Sequence, residues 1–192
     1  MISLFLCSPR ENGTTDHLGA TFAMGCGANL IALRDYAIQP CLGCNECHKN
    51  DGRCLIQKDD CAQLFELLQT SSSVVFVSPI YFYALPAHFK AFIDRSQPFW
   101  HKQIESKCPA PPGGKKAAVI LAAGRPRGQK LFSGALLTLK WFLKPFGFRI
   151  EYVETYRGLE NPRDLLANPD LLVKLADKGR AFAAYVQSAK LA

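Results

Sequence analysis

Cys41, Cys44, Cys47 and Cys54 place half of the chain's eight cysteines within fourteen residues, a spacing that suits one metal centre. Two residues between successive cysteines let a tight turn aim several thiolates at one point, as iron-sulfur and structural zinc sites require. Disulfides fit poorly, because neighbours this close make strained pairs and no secretory context accompanies them. In the bacterial ferredoxin run the fourth cysteine serves a different cluster. Here Cys54 lies seven positions after Cys47, so all four thiols can reach the same one. Three readings follow: a four-iron four-sulfur (4Fe-4S) cluster, a thiol group that is empty or redox-active, and a zinc site. Zinc favours separated knuckles or added imidazoles, and His48 is the only imidazole nearby in sequence. Cys7, Cys26, Cys61 and Cys108 read as buried or incidental thiols, with Cys61 as a substitute ligand.

A second chemistry is written at the end of the first apolar run, in Ser8-Pro9-Arg10-Glu11-Asn12-Gly13-Thr14-Thr15. Gly13 lets the backbone approach an anion, Ser8, Thr14 and Thr15 offer hydroxyls, and the free amides of a helix start add positive potential. Arg10 adds a charge. The plainer alternative is a helix start with Thr14 as N-cap. Ser78-Pro79-Ile80-Tyr81-Phe82-Tyr83 supplies three aromatics that can wall a flat ring or pack on a neighbouring subunit. Gly124-Arg125-Pro126-Arg127-Gly128 combines a flexible backbone with two guanidinium groups, suited to a phosphate or a reduced ring, or else to a solvated basic turn.

These loops need a frame that brings them together. Apolar runs at Ile2–Cys7, Ala28–Leu33, Val74–Ser78, Ala117–Ala123 and Phe148–Thr155 each have the length and composition of a buried strand. Helix-period segments alternate with them, at about Thr14–Met24, Asp59–Gln69, Ala87–Arg95, Gln129–Leu143 and Asp164–Lys190. Five such alternations predict an α/β fold: a doubly wound, flavodoxin-like parallel sheet of order 2-1-3-4-5 with helices on both faces. Its ligands bind outside the carboxyl ends of the strands. Two insertions interrupt the pattern, the cysteine-rich stretch at about 35–58 and a Pro/Gly-rich route at 97–114, and long loops in small domains are usually functional.

At 192 residues the chain is expected to be one domain, large enough to bury a core without metal, so a bound metal is functional rather than structural. Hydrophobic residues at 48% and charged ones at 20% exclude a disordered chain. The first residues are too short an apolar run for a signal peptide or a membrane span. A reducing, cytoplasmic location is expected. A net charge of +7 is scattered rather than gathered in a stripe, which favours small anions over nucleic acid.

Taken in order, the loops resemble the NAD(P)H-dependent flavin mononucleotide (FMN) reductase superfamily, in its iron-sulfur flavoprotein branch. The signature Ser-x-Arg-x-x-Gly-x-Thr falls on Ser8, Arg10, Gly13 and Thr15. Ser-Pro-x-Tyr falls on Ser78–Tyr81, and Lys-x-Phe-x-Asp-Arg on Lys90–Arg95. Asp59-Asp60 follow the cysteines as they do in relatives. The resemblance implies FMN, with its phosphate at Ser8 to Thr15 and its ring between Pro79, Ile80, Tyr81, Phe82 and Tyr83 on one side and Gly124, Arg125 and Gly128 on the other. It implies a cluster on Cys41, Cys44, Cys47 and Cys54, and a homodimer or homotetramer.

Three functions compete. The first is an electron carrier that takes electrons from a ferredoxin-like or NAD(P)H donor and passes them to a small acceptor. The second is a clusterless NAD(P)H-dependent FMN or quinone reductase. The third is a zinc-stabilised binding module. No general acid or base is required, since hydride and electron transfer belong to the cofactor. Tyr81, Tyr83 and His88 are the candidate proton donors.

Overall fold

The computed structural model describes residues 1–50, 52–105 and 114–188. Cys108 lies outside them. Five parallel strands form one sheet of order β2-β1-β3-β4-β5, the predicted topology: β1 Ile2–Leu6, β2 Asn29–Ala32, β3 Ser73–Pro79, β4 Lys115–Ala123 and β5 Phe148–Arg157. The central strands β3 and β4 are apolar along nearly their whole length because helices cover both faces. The edge strands depart from the buried reading. β2 exposes Asn29 and Leu30, and β5 exposes every second residue from Arg149 to Arg157.

Alternation along the strands divides the core. Phe5 and Phe76 face one side, where their rings stack at 4.9 Å, and Phe76 meets Phe89 at 5.5 Å. Leu4, Leu6, Val75 and Val77 face the other, against Leu18, Phe22 and Phe182. Each such buried side chain contributes roughly 1.5–3 kcal/mol relative to exposure. The second face is closed by α1, Thr14–Cys26, and α8, Pro169–Ser188. These helices touch backbone to backbone, with the Gly179 Cα only 3.0 Å from where a Cβ on Gly25 would stand. The first face is covered by α3, Cys61–Thr70, α4, Ala87–Asp94, and α6, Ser133–Leu143.

Four expectations change. The helix placed at 129–143 begins at Ser133, since Lys130 sits at φ 54° and no α-helix continues through a left-handed residue. The last helix is two, because Pro169 cannot continue α7, Pro162–Leu166, and instead opens α8. The stretch at 97–114, read as irregular, starts with α5, Gln97–Glu105, in which Pro98 falls in the first turn where proline is tolerated. Within the cysteine insertion, Glu46–Lys49 forms a single turn, α2.

Candidate functional site

At the carboxyl ends of the strands lies a cavity of about 470 Å³. Ser8, Arg10, Asn12, Gly13, Thr14 and Thr15 line it, together with Pro79, Ile80 and Tyr81 and with Gly124 and Arg125. Three sequence-predicted loops therefore converge. The end of β4 ties two of the surrounding segments together by backbone bonds: the Ile80 amide donates to Ala122 O at 2.8 Å, and the Leu159 amide to Ala123 O at 3.1 Å.

The N-cap of α1 is Gly13, not Thr14, and no side chain caps it. The first amides of a helix have no partner within it, so this end presents unsatisfied donors and positive potential to the cavity. Thr14 is buried, and its Oγ1 meets no hydrogen-bond partner among the described residues. Native structures seldom leave a buried hydroxyl idle unless an absent group completes it. The Ser8 Oγ accepts the Arg10 amide at 3.0 Å, and the Asn12 amide donates to Asp16 Oδ2 at 2.8 Å. Asp16 is in turn paired with Arg34 at 3.0 Å, which fixes the loop. The residues present fit a phosphate-bearing cofactor such as FMN.

Of the residues expected to wall the ring, Pro79, Ile80, Tyr81, Gly124 and Arg125 line this cavity, whereas Phe82, Tyr83 and Gly128 stand outside its lining. Tyr81 and Ala84 exchange backbone hydrogen bonds at 2.9 Å, which turns the chain at Phe82 and Tyr83 with φ of 49° and 64°. Phe82 thereby projects fully into solvent, and Tyr83 folds over Gly128, 5.8 Å from the Arg125 guanidinium. In their place Leu159, Glu160, Asn161 and Pro162 close the cavity. The signal for them was available: Gly158 to Pro162 follows the fifth strand at its carboxyl end, where the doubly wound fold binds ligands. His88 stands outside the lining of this cavity, and its Nε2 bonds Leu33 O at 2.8 Å.

Cys41, Cys44, Cys47 and Cys54 line a second cavity of about 250 Å³, beyond the opposite end of α4 from the aromatic turn. Left-handed backbone at Gly43 (φ 63°) and Asn45 (φ 59°) winds the loop around it. Cys47 is half-buried, and burial first, then the neighbouring Cys54, Cys41 and Cys44, push its thiol pKa up. The donor set fits an iron-sulfur cluster in number and kind. The thiols surround the cavity without meeting at a point, and no three metal-ligating side chains among the described residues are gathered closely enough to hold an ion. Cys7, Cys26 and Cys61 are buried, and burial drives the Cys61 thiol up to about 12. His48 is not the only imidazole present, for the fold brings His101 against it at 3.6 Å between ring centroids.

The insertion is bolted to the body by three polar residues. Asp60 Oδ2 accepts the Ala37 amide at 2.7 Å, and Asp59 Oδ2 accepts the Gln39 amide at 3.0 Å and the Arg95 guanidinium at 2.5 Å. Asp59 and Arg95 are both buried. Burial pushes the Asp59 carboxyl up, but the Arg95 hydrogen bond and the Gln39 amide outweigh it and hold its pKa below the ordinary range.

A parallel α/β sheet with an uncapped helix start and three loops around one cavity at its carboxyl edge defines a flavodoxin-like protein. Residues 1–145 match the family described as NADPH-dependent FMN reductase, and the chain belongs to that family. An iron-sulfur flavoprotein of Methanocaldococcus jannaschii is 33% identical over 129 residues, covering 64% of this chain and 62% of that protein. Another, from Archaeoglobus fulgidus, is 29% identical over 123 residues, covering 64% and 52%. The matched stretch is thus about half to six-tenths of these relatives' length. A flavone reductase superposes with a TM-score of 0.72 at 15% identity, covering 99% of this chain and 64% of that one. An NAD(P)H:quinone oxidoreductase from Methanothermobacter marburgensis gives 0.67 at 15% identity, covering 94% and 96%. These two likenesses show the fold. No described helix is long and apolar enough to cross a membrane.

Proposed function

We propose that the chain is an FMN-dependent oxidoreductase that also carries a 4Fe-4S cluster on Cys41, Cys44, Cys47 and Cys54. It takes electrons from a ferredoxin-like or NAD(P)H donor and passes them to a small acceptor. The observation that carries this reading is the pairing of two differently furnished cavities: an anion cradle with an idle buried hydroxyl, and a chamber lined by four thiols.

The α1 amides, the Ser8, Thr14 and Thr15 hydroxyls and Arg10 bind the phosphate, the Thr14 Oγ1 gaining the partner it lacks. Pro79, Ile80 and Tyr81 hold one side of the ring and Gly124 and Arg125 the other, while Leu159 to Pro162 exclude water from its edge. Arg125, exposed beside Tyr83, offsets negative charge arriving at the mouth. Bound flavin accepts two electrons as hydride and releases them singly, and a cluster relays single electrons. The exposed Tyr83, Leu137 and Trp141 support a homodimer or homotetramer, and the thiols suit a reducing cytoplasm.

The clusterless NAD(P)H-dependent FMN or quinone reductase is favoured by one observation, the match of residues 1–145 to the NADPH-dependent FMN reductase family. An ultraviolet-visible spectrum of anaerobically purified protein with iron and sulfide assays decides between them. Flavin bands with about four irons per chain support the two-cofactor carrier, and flavin without iron leaves the reductase. Replacing Thr14 by Val tests the cradle: FMN binding, followed by quenching of flavin fluorescence, is expected to weaken by about 1.5–3 kcal/mol, the worth of a hydrogen bond to a charged group. Unchanged affinity refutes that placement of the phosphate.

A further inference from the structure

We propose that Arg95 is the positioning residue of the cysteine chamber, tying together both feet of its loop and donating its remaining Nε–H to a sulfur of the centre held there. The inference rests on the cluster reading above. Arg95 closes α4 and is almost wholly buried, at 4% exposure. One terminal nitrogen donates to Asp59 Oδ2 at 2.5 Å and to Gln39 O at 3.1 Å; the other donates to Ile56 O at 2.9 Å and Asp59 Oδ1 at 3.3 Å. Gln39 stands two residues before Cys41 and Ile56 two after Cys54. A single planar fork therefore fixes the distance between the strand of chain that enters the cysteine loop and the strand that leaves it. A lysine at this position has one compact ammonium and cannot hold that spacing.

The fork leaves one donor over. Nε is buried and meets no hydrogen-bond partner among the described residues. Arg95 also lines the thiol chamber, beside Cys41, Cys44, Cys47 and Cys54. The orphaned N–H of this lining residue needs an acceptor, and thiolate or sulfide sulfur is the acceptor chemistry the chamber would supply. Hydrogen bonds to cluster sulfurs stabilise the reduced, more negative state and raise the potential.

The test uses full-length flavin-loaded protein with its cluster reconstituted anaerobically, comparing wild type with Arg95→Lys and Asp59→Asn. Iron and sulfide per chain are assayed, and cluster and flavin potentials are read in one electron-paramagnetic-resonance-monitored titration, so that the flavin serves as internal control. Arg95→Lys is expected to leave the flavin couple in place. It should either lose iron several-fold or shift the cluster's oxidised-to-reduced ratio about tenfold toward oxidised at a fixed potential, 59 mV downward for a one-electron couple. Asp59→Asn keeps an acceptor for the fork but removes the balancing charge, so it should shift the cluster couple upward, and it tests the idea even where Arg95→Lys fails to fold. Iron content, cluster spectrum and potential that stay at wild-type values in Arg95→Lys, or an unmoved potential in Asp59→Asn, overturn the inference. Wild-type protein that takes up no iron overturns the cluster reading and this inference with it.

Discussion

Gly179→Ala sets two effects of opposite sign against each other. In an open helix the substitution stabilises by about 1 kcal/mol, because alanine is the better helix former. At this position a Cβ would fall on the carbonyl oxygen of Phe22, with Gly25 Cα at 3.1 Å and Cys26 N at 3.2 Å. All three are backbone atoms, so no side chain can swing away, and α1 and α8 must separate until the contacts reach at least 3.4 Å. Gaps of that size forfeit a quarter to a half of each dispersion contact across the seam. Overpacking of this kind costs about 3 kcal/mol, the upper end of its usual range. The net loss of about 2 kcal/mol is a fall in melting temperature of roughly 4–8 °C for a domain of this size. Thermal unfolding of apo protein followed by circular dichroism reads it directly. An unchanged or raised melting temperature refutes the reasoning, because it means that the two helices do not touch at this glycine. Since α1 carries the anion cradle at its other end, FMN affinity should fall in the same variant.

Phe82→Asn should raise the melting temperature by a few degrees, since asparagine tolerates the left-handed backbone that costs phenylalanine about 1–2 kcal/mol and the fully exposed ring gives up no packing. A drop instead would show that Phe82 is covered in solution. The Asp59 carboxyl, held below its ordinary pKa in the fold, contributes stability that is present above the unfolded value near 3.9 and lost as pH falls toward the folded one. Hydrogen-exchange protection across residues 37–60, corrected for intrinsic rates, should therefore fall between about pH 7 and about pH 3, and this fall should disappear in Asp59→Asn. Equal protection at both pH values in wild type would sink that assignment.

What was legible in the chain is what is local. Val74 to Val77 and Ala117 to Ala123 are apolar without interruption because they are central strands, and that composition fixes their place in the sheet. Ser8 to Thr15 reads as a cradle because glycine, hydroxyls and a helix start are contiguous. What was not legible depends on partners distant in sequence. Nothing near Arg95 says that its guanidinium will find Asp59, 36 residues earlier, or that His101 will meet His48. The directions of the rings in the aromatic turn were hidden for a different reason: composition marks Phe82 and Tyr83 as aromatic, while their positive φ values, which aim one ring into solvent and the other over Gly128, carry no sequence signature. Lys130 hid its left-handed backbone in the same way and shortened the helix that follows.

The attachment of the cysteine insertion has a consequence for how this chain can change. Among the described residues, no side chain between positions 39 and 60 belongs to either core cluster, and Leu42 and Leu55 within it face solvent. The insertion is tied to the body by Asp59, Asp60 and Arg95 and by the contact of His48 with His101, while the sheet, the phenylalanine stack and the anion cradle are complete without it. Thiol oxidation, loop shortening or exchange of the whole segment therefore leaves a foldable body behind. A lineage built on this frame can gain, trade or shed its metal chemistry through one segment, with the flavin half free to keep working throughout.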